Sequence, residues 1–595
     1  MLANGGQTDF RIGAVPVTTR RGFLGAFGAL AAQAARPNIL WITCEDMGPH
    51  IGCFGDSFAK TPVLDDLAAR GLRYRRCWSN APVCAPARTT IISGMYPPAL
   101  GAEHMRSEVE MGAGRKMFPQ LLRDVGYYTS NNSKEDYNLT LTGKVWDESN
   151  PRAHWRHRAP GQPFFSVFNF VGTHESQIRT RPHEWKHSFE GVRVPAYHPD
   201  TPEVRRDWAQ YYDNIEVMDA WAGRILRELE EDGLAERTIV FFYSDHGSGM
   251  PRNKRWPYDS GLRVPLILSV PDQLSSLRPP EYKAGGETVR PISFVDLAPT
   301  VLRLAAAGPA PYHQGVDFTA GKAREYVFGF RGRMDERYDM VRTAFDGRYV
   351  YIRNYMPHKI YGQHIAYMFE TPTTRVWKEM YDAGKLNAAQ KAFWERKPFE
   401  ELYDTTRDRD EVSNIAGRER SVLTRMRKAL DEWIIKSGDR GFLPEAELHV
   451  EGRAYDVTRV KAMADRAASM EGPPPADGLK DLDSAVRYWA VLGHIMRGKS
   501  AGMMAGDASP SVRAVAAEGV GCFGETGQAR AAADALLELG DASRHGVYVA
   551  MLALNGLAAM GERAPADIRA KVKALPDGGK GRSGPYVSNL KKGIV

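Results

Sequence analysis

Cysteine is scarce in this sequence. The 595 residues include five cysteines, an odd number, and four of them lie in the first hundred residues. No Cys-x-x-Cys pair occurs, which argues against a zinc ribbon or a redox dithiol, and a disulfide framework is not expected in a chain of this size. Cys84, in the stretch "APVCAPARTTIISGMYPP", could therefore be a thiolate whose pKa is lowered by Arg88, a metal ligand, half of a disulfide or a small buried side chain.

Long basic tracts are also missing. The formal net charge of +7 is spread along the chain, so the sequence does not favour a nucleic-acid partner. A mildly positive field instead steers anionic substrates towards a protein. At 595 residues the chain is too long for one compact core, so two or three domains are expected.

The N-terminal region contains an apolar run that is too short to span a bilayer. In "TTRRGFLGAFGALAAQAARPN" a twin arginine, Arg20 and Arg21, precedes Phe-Leu, and an Ala-x-Ala pattern ends the run. This arrangement resembles the signal of the bacterial pathway that exports folded proteins, with an amphipathic N-terminal helix as the alternative. We therefore expect residues 1–35 to be removed, and the mature protein to be exported, periplasmic or secreted, without stable membrane insertion.

Short uninterrupted apolar runs recur along the first 330 residues, in "NILWITC", "PFFSVFNF", "TIVFFY" and "VPLILSV". Such runs are typical of strands buried on both faces, and helical patterns such as "NIEVMDAWAGRILRELEEDG" lie between them. The alternation predicts an α/β domain over residues 36–330, with a mostly parallel sheet flanked by helices. Residues 331–445 are predicted to form a smaller α+β subdomain, and residues 446–595 a linker and a helical extension, either HEAT-like repeats or a plain helical cap.

Polar side chains follow several of these apolar runs, where the predicted strands end. They are Glu45, Asp46, His174, Asp245 and His246. Because functional residues of such sheets lie beyond the carboxyl ends of the strands, we expect these side chains to meet. Three carboxylates suit a hard divalent cation such as calcium, for which the sulfur of Cys84 would be a mismatched ligand. The residues alone therefore predict a metal site and leave the role of Cys84 open.

The sequence from Cys84 to Arg88, Cys-Ala-Pro-Ala-Arg, matches the Cys-x-Pro-x-Arg signature of type I sulfatases, and "TTIISGMYP" follows it as in that family. The resemblance covers about residues 37–440 and includes, in the family's order, "ILWITCEDMG", "SNNSKEDYN", "VGTHES", "FYSDHGSGM", "GMPRNKRWPYDSGLRVP" and "ELYDTTRDRDEVSNIA". It implies an alkaline-phosphatase-like fold and an enzyme that hydrolyses sulfate esters or N-sulfates. It also implies that a maturation enzyme converts Cys84 to formylglycine, an oxygen nucleophile, which removes the objection to sulfur.

The resemblance also implies roles for individual residues. The implied ligands of one divalent metal ion, with Ca²⁺ favoured, are Glu45, Asp46, Cys84 as formylglycine, Asp245 and His246. The implied catalytic residues are Cys84, Arg88, Lys134, His174 and Lys254. In the family the cationic side chains neutralise charge on the sulfuryl oxygens, and the histidine protonates the leaving group.

Three positions depart from the family's pattern. Glu45 replaces an aspartate, so its longer side chain must coordinate differently or withdraw from the metal. His246 replaces an asparagine, and imidazole is a softer ligand than calcium prefers. Asp136 replaces a histidine that orients the nucleophile, so this activating group is either missing or supplied from elsewhere in the chain.

Within the family, the nearest resemblance is to heparan N-sulfatase (sulfamidase) and its bacterial relatives, through "VRVPAYHPDTPEVRRDWAQYYDNIEVMD" and "SGMYP". This implies a sulfated carbohydrate as the substrate. Two alternatives stay open. A phosphonate monoester or phosphodiester hydrolase of the same superfamily would prefer phosphorus to sulfur, and a catalytically silent sugar-binding homologue would keep Cys84 unmodified and use the helical extension for interactions.

Overall fold

An eight-stranded sheet is the main feature of the part of the chain that the computed structural model describes, residues 36–448, 450 and 452–594. In chain order its strands are β1 (Asn38–Cys44), β2 (Leu72–Trp78), β3 (Tyr128–Asn132), β4 (Glu148–Ser149), β5 (Phe164–Phe170), β6 (Thr238–Ser244), β7 (Arg263–Ser269) and β8 (Gly286–Ser293). They lie side by side in the order β4-β3-β5-β1-β6-β7-β2-β8. The predicted signal segment, residues 1–35, lies outside the described residues.

The central strand β1 explains the uninterrupted apolar runs. Ile39 and Trp41 pack into one hydrophobic core, whereas Leu40 and Ile42 pack into another. Successive side chains of a strand point to opposite faces, so a strand covered on both faces needs apolar residues at every position. Strand β1 pairs in parallel with β5 and β6, whereas β7 runs antiparallel to its neighbours β2 and β6. The prediction of a mostly parallel sheet is therefore confirmed.

Helices cover both faces of this sheet. Those before residue 331 are Pro62–Ala69, Cys84–Ser93, Pro97–Leu100, Phe118–Asp124, Pro202–Glu231, Asp259–Leu262 and Leu297–Leu304. Met218 and Leu229 of the long helix share a core with Leu40, while Phe118 and Leu297 of two other helices share a core with Trp41 on the opposite face. The apolar stripe read from the sequence of the long helix is thus its buried face.

A second, antiparallel sheet contains β9 (Val327–Arg331), β10 (Val341–Phe345), β11 (Tyr349–Asn354) and β12 (Glu400–Asp404), in the order β12-β11-β10-β9. The helices of this half of the chain are Pro372–Asp382, Ala388–Lys391, Arg420–Ser437, Glu445–Leu448, Val457–Ser469, Ser484–Met496, Pro510–Phe523, Thr526–Leu539, Ala542–His545, Val547–Met560, Ala566–Val572 and Gly584–Ile594. None of the helices in the described ranges is both long and apolar enough to cross a membrane.

Aromatic residues join the second sheet to the helical extension. The ring of Tyr355, directly after β11, lies edge-on to Phe442, with 4.8 Å between the ring centroids. The indole N–H of Trp489 donates a hydrogen bond of 2.8 Å to the Phe442 carbonyl. One hydrophobic core therefore continues from the second sheet into the helices. The predicted domain boundaries and the HEAT-like character of the extension stay predictions.

Candidate active site

The neighbouring strands β5, β1 and β6 end at the same edge of the large sheet. Cys44, the last residue of β1, is paired in register with Ser244 at the end of β6 and with Phe170 at the end of β5. The residues that follow therefore meet: the backbone N–H of Asp46 donates a hydrogen bond of 3.1 Å to Asp245 Oδ1. The sheet topology therefore brings polar residues together at this edge, as the sequence predicted.

Asp46, Asp245 and His246 can each offer one ligand atom within 4.8 Å of the others. All three residues are buried. His246 Nε2 lies 2.9 Å from Asp46 Oδ1, and neither of these two atoms has a hydrogen-bond partner within the described ranges. Two carboxylates and an imidazole with uncommitted buried atoms form a donor set that fits a divalent cation, although the imidazole is softer than calcium prefers.

Two cationic side chains balance the buried carboxylates. Lys254 Nζ lies 2.6 Å from Asp46 Oδ2, and Arg88 Nε lies 3.1 Å from Asp245 Oδ2. Burial by itself would raise the pKa of Asp46, but Lys254 and His246 outweigh it and hold this pKa well below its ordinary value. Asp46 is therefore ionised, as a metal ligand must be.

Glu45 lies apart from the three-residue group. Its Oε1 is 2.7 Å from Lys134 Nζ and 3.6 Å from an Arg88 nitrogen. The longer side chain of Glu45 thus extends to these two cations and lies outside the group that contains its neighbour Asp46. Of the five predicted metal ligands, the group contains Asp46, Asp245 and His246, and it does not contain Glu45 or Cys84.

Cys84 is the first residue of the buried helix Cys84–Ser93. The five cysteines are all free, so the disulfide interpretation is wrong. Burial raises the pKa of the Cys84 thiol well above its ordinary value. The idea that Arg88 makes this cysteine a thiolate is wrong too, because burial disfavours the charged form and Arg88 is already paired with Asp245.

The three predicted cationic residues, Arg88, Lys134 and Lys254, all interact electrostatically with the Cys84 side chain. They differ in exposure. The side chain of Lys134 is 26% exposed, whereas that of Lys254 is 2% exposed. Lys134 is therefore the more accessible of the two lysines, whereas Lys254 is buried between the carboxylates of Asp46 and Glu175.

His174 follows β5 and precedes a short 3₁₀ helix. Its Nδ1 lies 2.9 Å from Ser176 Oγ. The next backbone N–H, of Glu175, donates a hydrogen bond of 2.7 Å to Asp46 Oδ2, which fixes His174 beside the buried group. Burial, reinforced by the charge of Lys254, lowers the pKa of His174 below its ordinary value.

A buried ion-pair network supports the site, and sequence reasoning missed it. Arg255 places two nitrogens 2.6 and 2.8 Å from the Glu175 carboxylate, and its Nε lies 2.7 Å from Asp335 Oδ2. Glu175 in turn lies 3.7 Å from Lys254 Nζ. The sequence gives one hint that these residues lie near the site, since Glu175 directly follows His174 and Arg255 directly follows Lys254. The pairing itself joins segments that are far apart in sequence.

Comparison with known proteins agrees with this geometry. A family model described as Sulfatase matches residues 37–159 and 154–307. The chain is similar to an ulvan-active sulfatase of Formosa agariphila, with 40% identity over 469 residues that cover 69% of this chain and 77% of that protein. It is also similar to human N-sulphoglucosamine sulphohydrolase, with 27% identity over 311 residues, or 45% of this chain and 61% of that one. A solved 2-O GAG sulfatase superposes with a TM-score of 0.52 at 18% identity, covering 68% of this chain and 93% of that structure, which shows a shared fold.

Proposed function

The chain belongs to the sulfatase family, as its Cys84–Arg88 signature predicted, and we propose that it is a formylglycine- and metal-dependent sulfatase acting on a sulfated carbohydrate. It is a hydrolase of sulfate esters or N-sulfates. We further propose that a maturation enzyme makes the nucleophile from Cys84, that the metal is one divalent ion, with Ca²⁺ favoured, and that the protein is exported.

One arrangement supports this proposal: Lys254 and Arg88 pair with Asp46 and Asp245 of the buried group, and these two cations and Lys134 also interact electrostatically with Cys84. The Cys84 sulfur stands where an oxygen of formylglycine would lie. Formylglycine supplies an oxygen nucleophile, and a divalent cation supplies charge stabilisation next to it. The raised pKa of the thiol argues against an unmodified cysteine as the nucleophile.

The side chains around position 84 divide the remaining work. The cation would be held by Asp46, Asp245 and His246. Lys134 and Lys254 hold positive charge beside residue 84 and would bind the sulfuryl oxygens, where negative charge develops during the reaction. Arg88 orients Asp245 through an ion pair of 3.1 Å. His174 would donate a proton to the leaving oxygen or nitrogen.

We propose a sulfated polysaccharide of the ulvan type as the first substrate to test, because the relative with 40% identity is an ulvan-active sulfatase. An N-sulfated glucosamine is the second, because the chain is 27% identical to a sulphohydrolase of N-sulphoglucosamine. The two substrates differ in the atom that leaves, oxygen or nitrogen, and the cluster around Cys84 can serve either.

Sulfate release by the matured protein from ulvan oligosaccharides and from N-sulfated glucosamine tests the proposal. We expect release from at least one of them, and a peptide mass at position 84 that shows the aldehyde. Cys84→Ala removes the nucleophile and should lower kcat/KM by about 10⁴-fold or more. Cys522→Ala, which removes a free cysteine of the helical extension, is the matched control and should leave turnover unchanged.

The same assay separates the alternatives. Faster hydrolysis of a phosphonate monoester than of any sulfate would identify the phosphonate monoester hydrolase of the same superfamily. Oligosaccharide binding that survives Cys84→Ala, together with an unmodified Cys84 in the protein from its native host, would identify a silent homologue. Elemental analysis of the active preparation identifies the metal, and activity that persists after complete chelation would contradict metal dependence.

Export is proposed from the sequence "TTRRGFLGAF" and the Ala-x-Ala pattern after it. Replacing Arg20 and Arg21 with lysine should leave the uncleaved precursor inside the cell, as cell fractionation would show. Normal processing of that variant would contradict the twin-arginine route.

A further inference from the structure

The end of the chain returns to the active site. We call residues 578–594 the terminal segment; it consists of the helix Gly584–Ile594 and the residues directly before it. Just before this helix, the guanidinium group of Arg582 forms an ion pair with Asp136 and donates a hydrogen bond to the Tyr137 carbonyl. Asp136 lies two residues after Lys134, in the loop that follows β3. The helical extension therefore contributes a side chain to the surroundings of the nucleophile.

The terminal segment is anchored at Arg582 and at residues that follow it. Its backbone N–H donates a hydrogen bond of 3.2 Å to Glu108, and the hydroxyl of Ser583 donates one of 3.1 Å to the Arg106 carbonyl. Tyr586 is 3% exposed, and its hydroxyl lies 3.3 Å from Asp335 Oδ1. Because these contacts fix the backbone, Arg582 is held at a defined place instead of lying free on the surface.

Asp136 connects Arg582 to the loop that carries Lys134. Burial would raise the pKa of Asp136, but the charges of Lys134 and Arg582 outweigh it and lower this pKa. Asp136 Oδ2 also lies 3.9 Å from Lys134 Nζ. The loop backbone is fixed at Asn138, whose N–H donates a hydrogen bond of 2.8 Å to Thr89 Oγ1. Arg582 fixes the loop from the other side, at Asp136.

We propose that Arg582 is a positioning residue, which through Asp136 fixes the loop that carries Lys134 against the helix that begins at Cys84, so that the helical extension completes the active site. This inference rests on the proposed function, since it assigns the loop of Lys134 and Asp136 to the nucleophile at position 84. Asp136 stands where the sequence lacks the expected histidine. A carboxylate on a loop needs a second anchor to be fixed, and Arg582 supplies it.

Kinetics of sulfate release by the full-length matured protein test this role. Arg582→Ala should lower kcat by about 10- to 100-fold and change KM by less than about threefold, because the sulfate-binding lysines remain. Arg582→Lys retains a cation and should recover part of the loss. Arg530→Ala is the matched control, since Arg530 also lies in the helical extension but pairs with the exposed carboxylates of Asp534 and Asp567. All variants must carry the aldehyde to the same extent, by peptide mass.

A double-mutant cycle separates positioning from a direct role. Asp136→Asn should lower kcat as Arg582→Ala does, and the double variant should be no slower than Asp136→Asn alone, because Arg582 acts through Asp136. Losses that multiply in the double variant would overturn the inference. So would a kcat for Arg582→Ala within twofold of that of the wild type.

Hydrogen exchange gives a second readout, which does not depend on turnover. In Arg582→Ala the amides of residues 133–138 should exchange faster than in the wild type, and in Arg530→Ala they should not. Unchanged exchange would overturn the anchoring role. If the matured wild type releases no sulfate from any substrate, the proposed function fails and the link to the nucleophile fails with it. Faster exchange in Arg582→Ala would then show that the anchor itself is real.

Discussion

The two sides of the active site are built differently. We call one the strand-end wall, formed by Asp46, His174, Asp245, His246 and Lys254, and the other the loop wall, formed by Lys134, Asp136 and Arg582. The carboxylates, His246 and Lys254 of the strand-end wall are almost fully buried and follow adjacent strands. In the loop wall the side chains of Lys134, Asp136 and Arg582 are 26%, 15% and 32% exposed.

This difference separates two tasks. A buried charge is tolerated only when it is paired. Removing one partner of a pair in the strand-end wall should therefore destabilise the whole fold. The ion pairs of the loop wall are only partly buried, so we expect them to contribute less to stability than the fully buried pairs of the strand-end wall. The strand-end wall therefore suits the proposed metal ion, and the loop wall suits adjustment of the proposed nucleophile and of the substrate.

The largest expected effect on stability comes from the network behind the strand-end wall. Arg255→Ala leaves Glu175 buried without its main partner, and we expect the free energy of unfolding to fall by about 3–5 kcal/mol in urea titrations. Arg530→Ala removes an exposed pair and should leave the unfolding curve unchanged within error. Equal stability of Arg255→Ala and the wild type would mean that the strand-end wall does not depend on this network.

A smaller effect, on turnover instead of stability, is expected in the loop wall. Lys134→Ala removes a cation beside position 84 and should lower kcat/KM by about 100-fold. The free energy of unfolding should fall by about 1 kcal/mol or less, because Arg88 still faces Glu45. Lys134→Arg, which keeps the charge, is the control. A large loss of stability in Lys134→Ala would remove the distinction between the walls.

The smallest effect concerns the joint between the extension and the rest of the fold. Arg333 binds both oxygens of Glu445 at 2.7 Å, and its guanidinium group lies 5.3 Å from the ring centroid of Tyr586 in the terminal segment. Burial would raise the pKa of Glu445, but Arg333 outweighs it and lowers the pKa to about 2.

The sign of the pH dependence follows from this lowered pKa. The stabilisation is complete above the ordinary glutamate value and is lost as the pH falls towards 2. The difference in unfolding free energy between wild type and Glu445→Gln should therefore shrink by about 1–2 kcal/mol between pH 6 and pH 3, in urea titrations at each pH. A difference that is independent of pH would contradict the pairing of Glu445 with Arg333.

Much of the strand-end wall could be predicted from the sequence. Uninterrupted runs such as "NILWITC" can hardly be anything but strands covered on both faces, and the polar residues after them had to lie at one edge of a parallel sheet. The signature at Cys84–Arg88 then identified the family. The sequence could not say that Glu45 would pair with Lys134 and leave the metal-binding group to its neighbours.

The loop wall could be predicted only in part. The departure at Asp136 was visible, but Arg582 lies 446 positions further along the chain. The pairing of Glu175, Arg255 and Asp335 could not be predicted either, since nothing in an isolated charged residue tells which distant residue will neutralise it. The thiolate alternative for Cys84 failed, because the sequence showed its nearby arginine but did not show how deeply the thiol is buried.

By itself, then, the sequence determined the α/β fold, the edge of the sheet that bears the chemistry and the family of the enzyme. Apolar periodicity and short motifs involve consecutive residues, so they can be recognised without knowledge of the tertiary contacts. Only the tertiary structure decided which charges pair, which carboxylates can face a metal and that the end of the chain reaches Asp136. Those outcomes depend on distances and burial, which arise when segments hundreds of residues apart pack together.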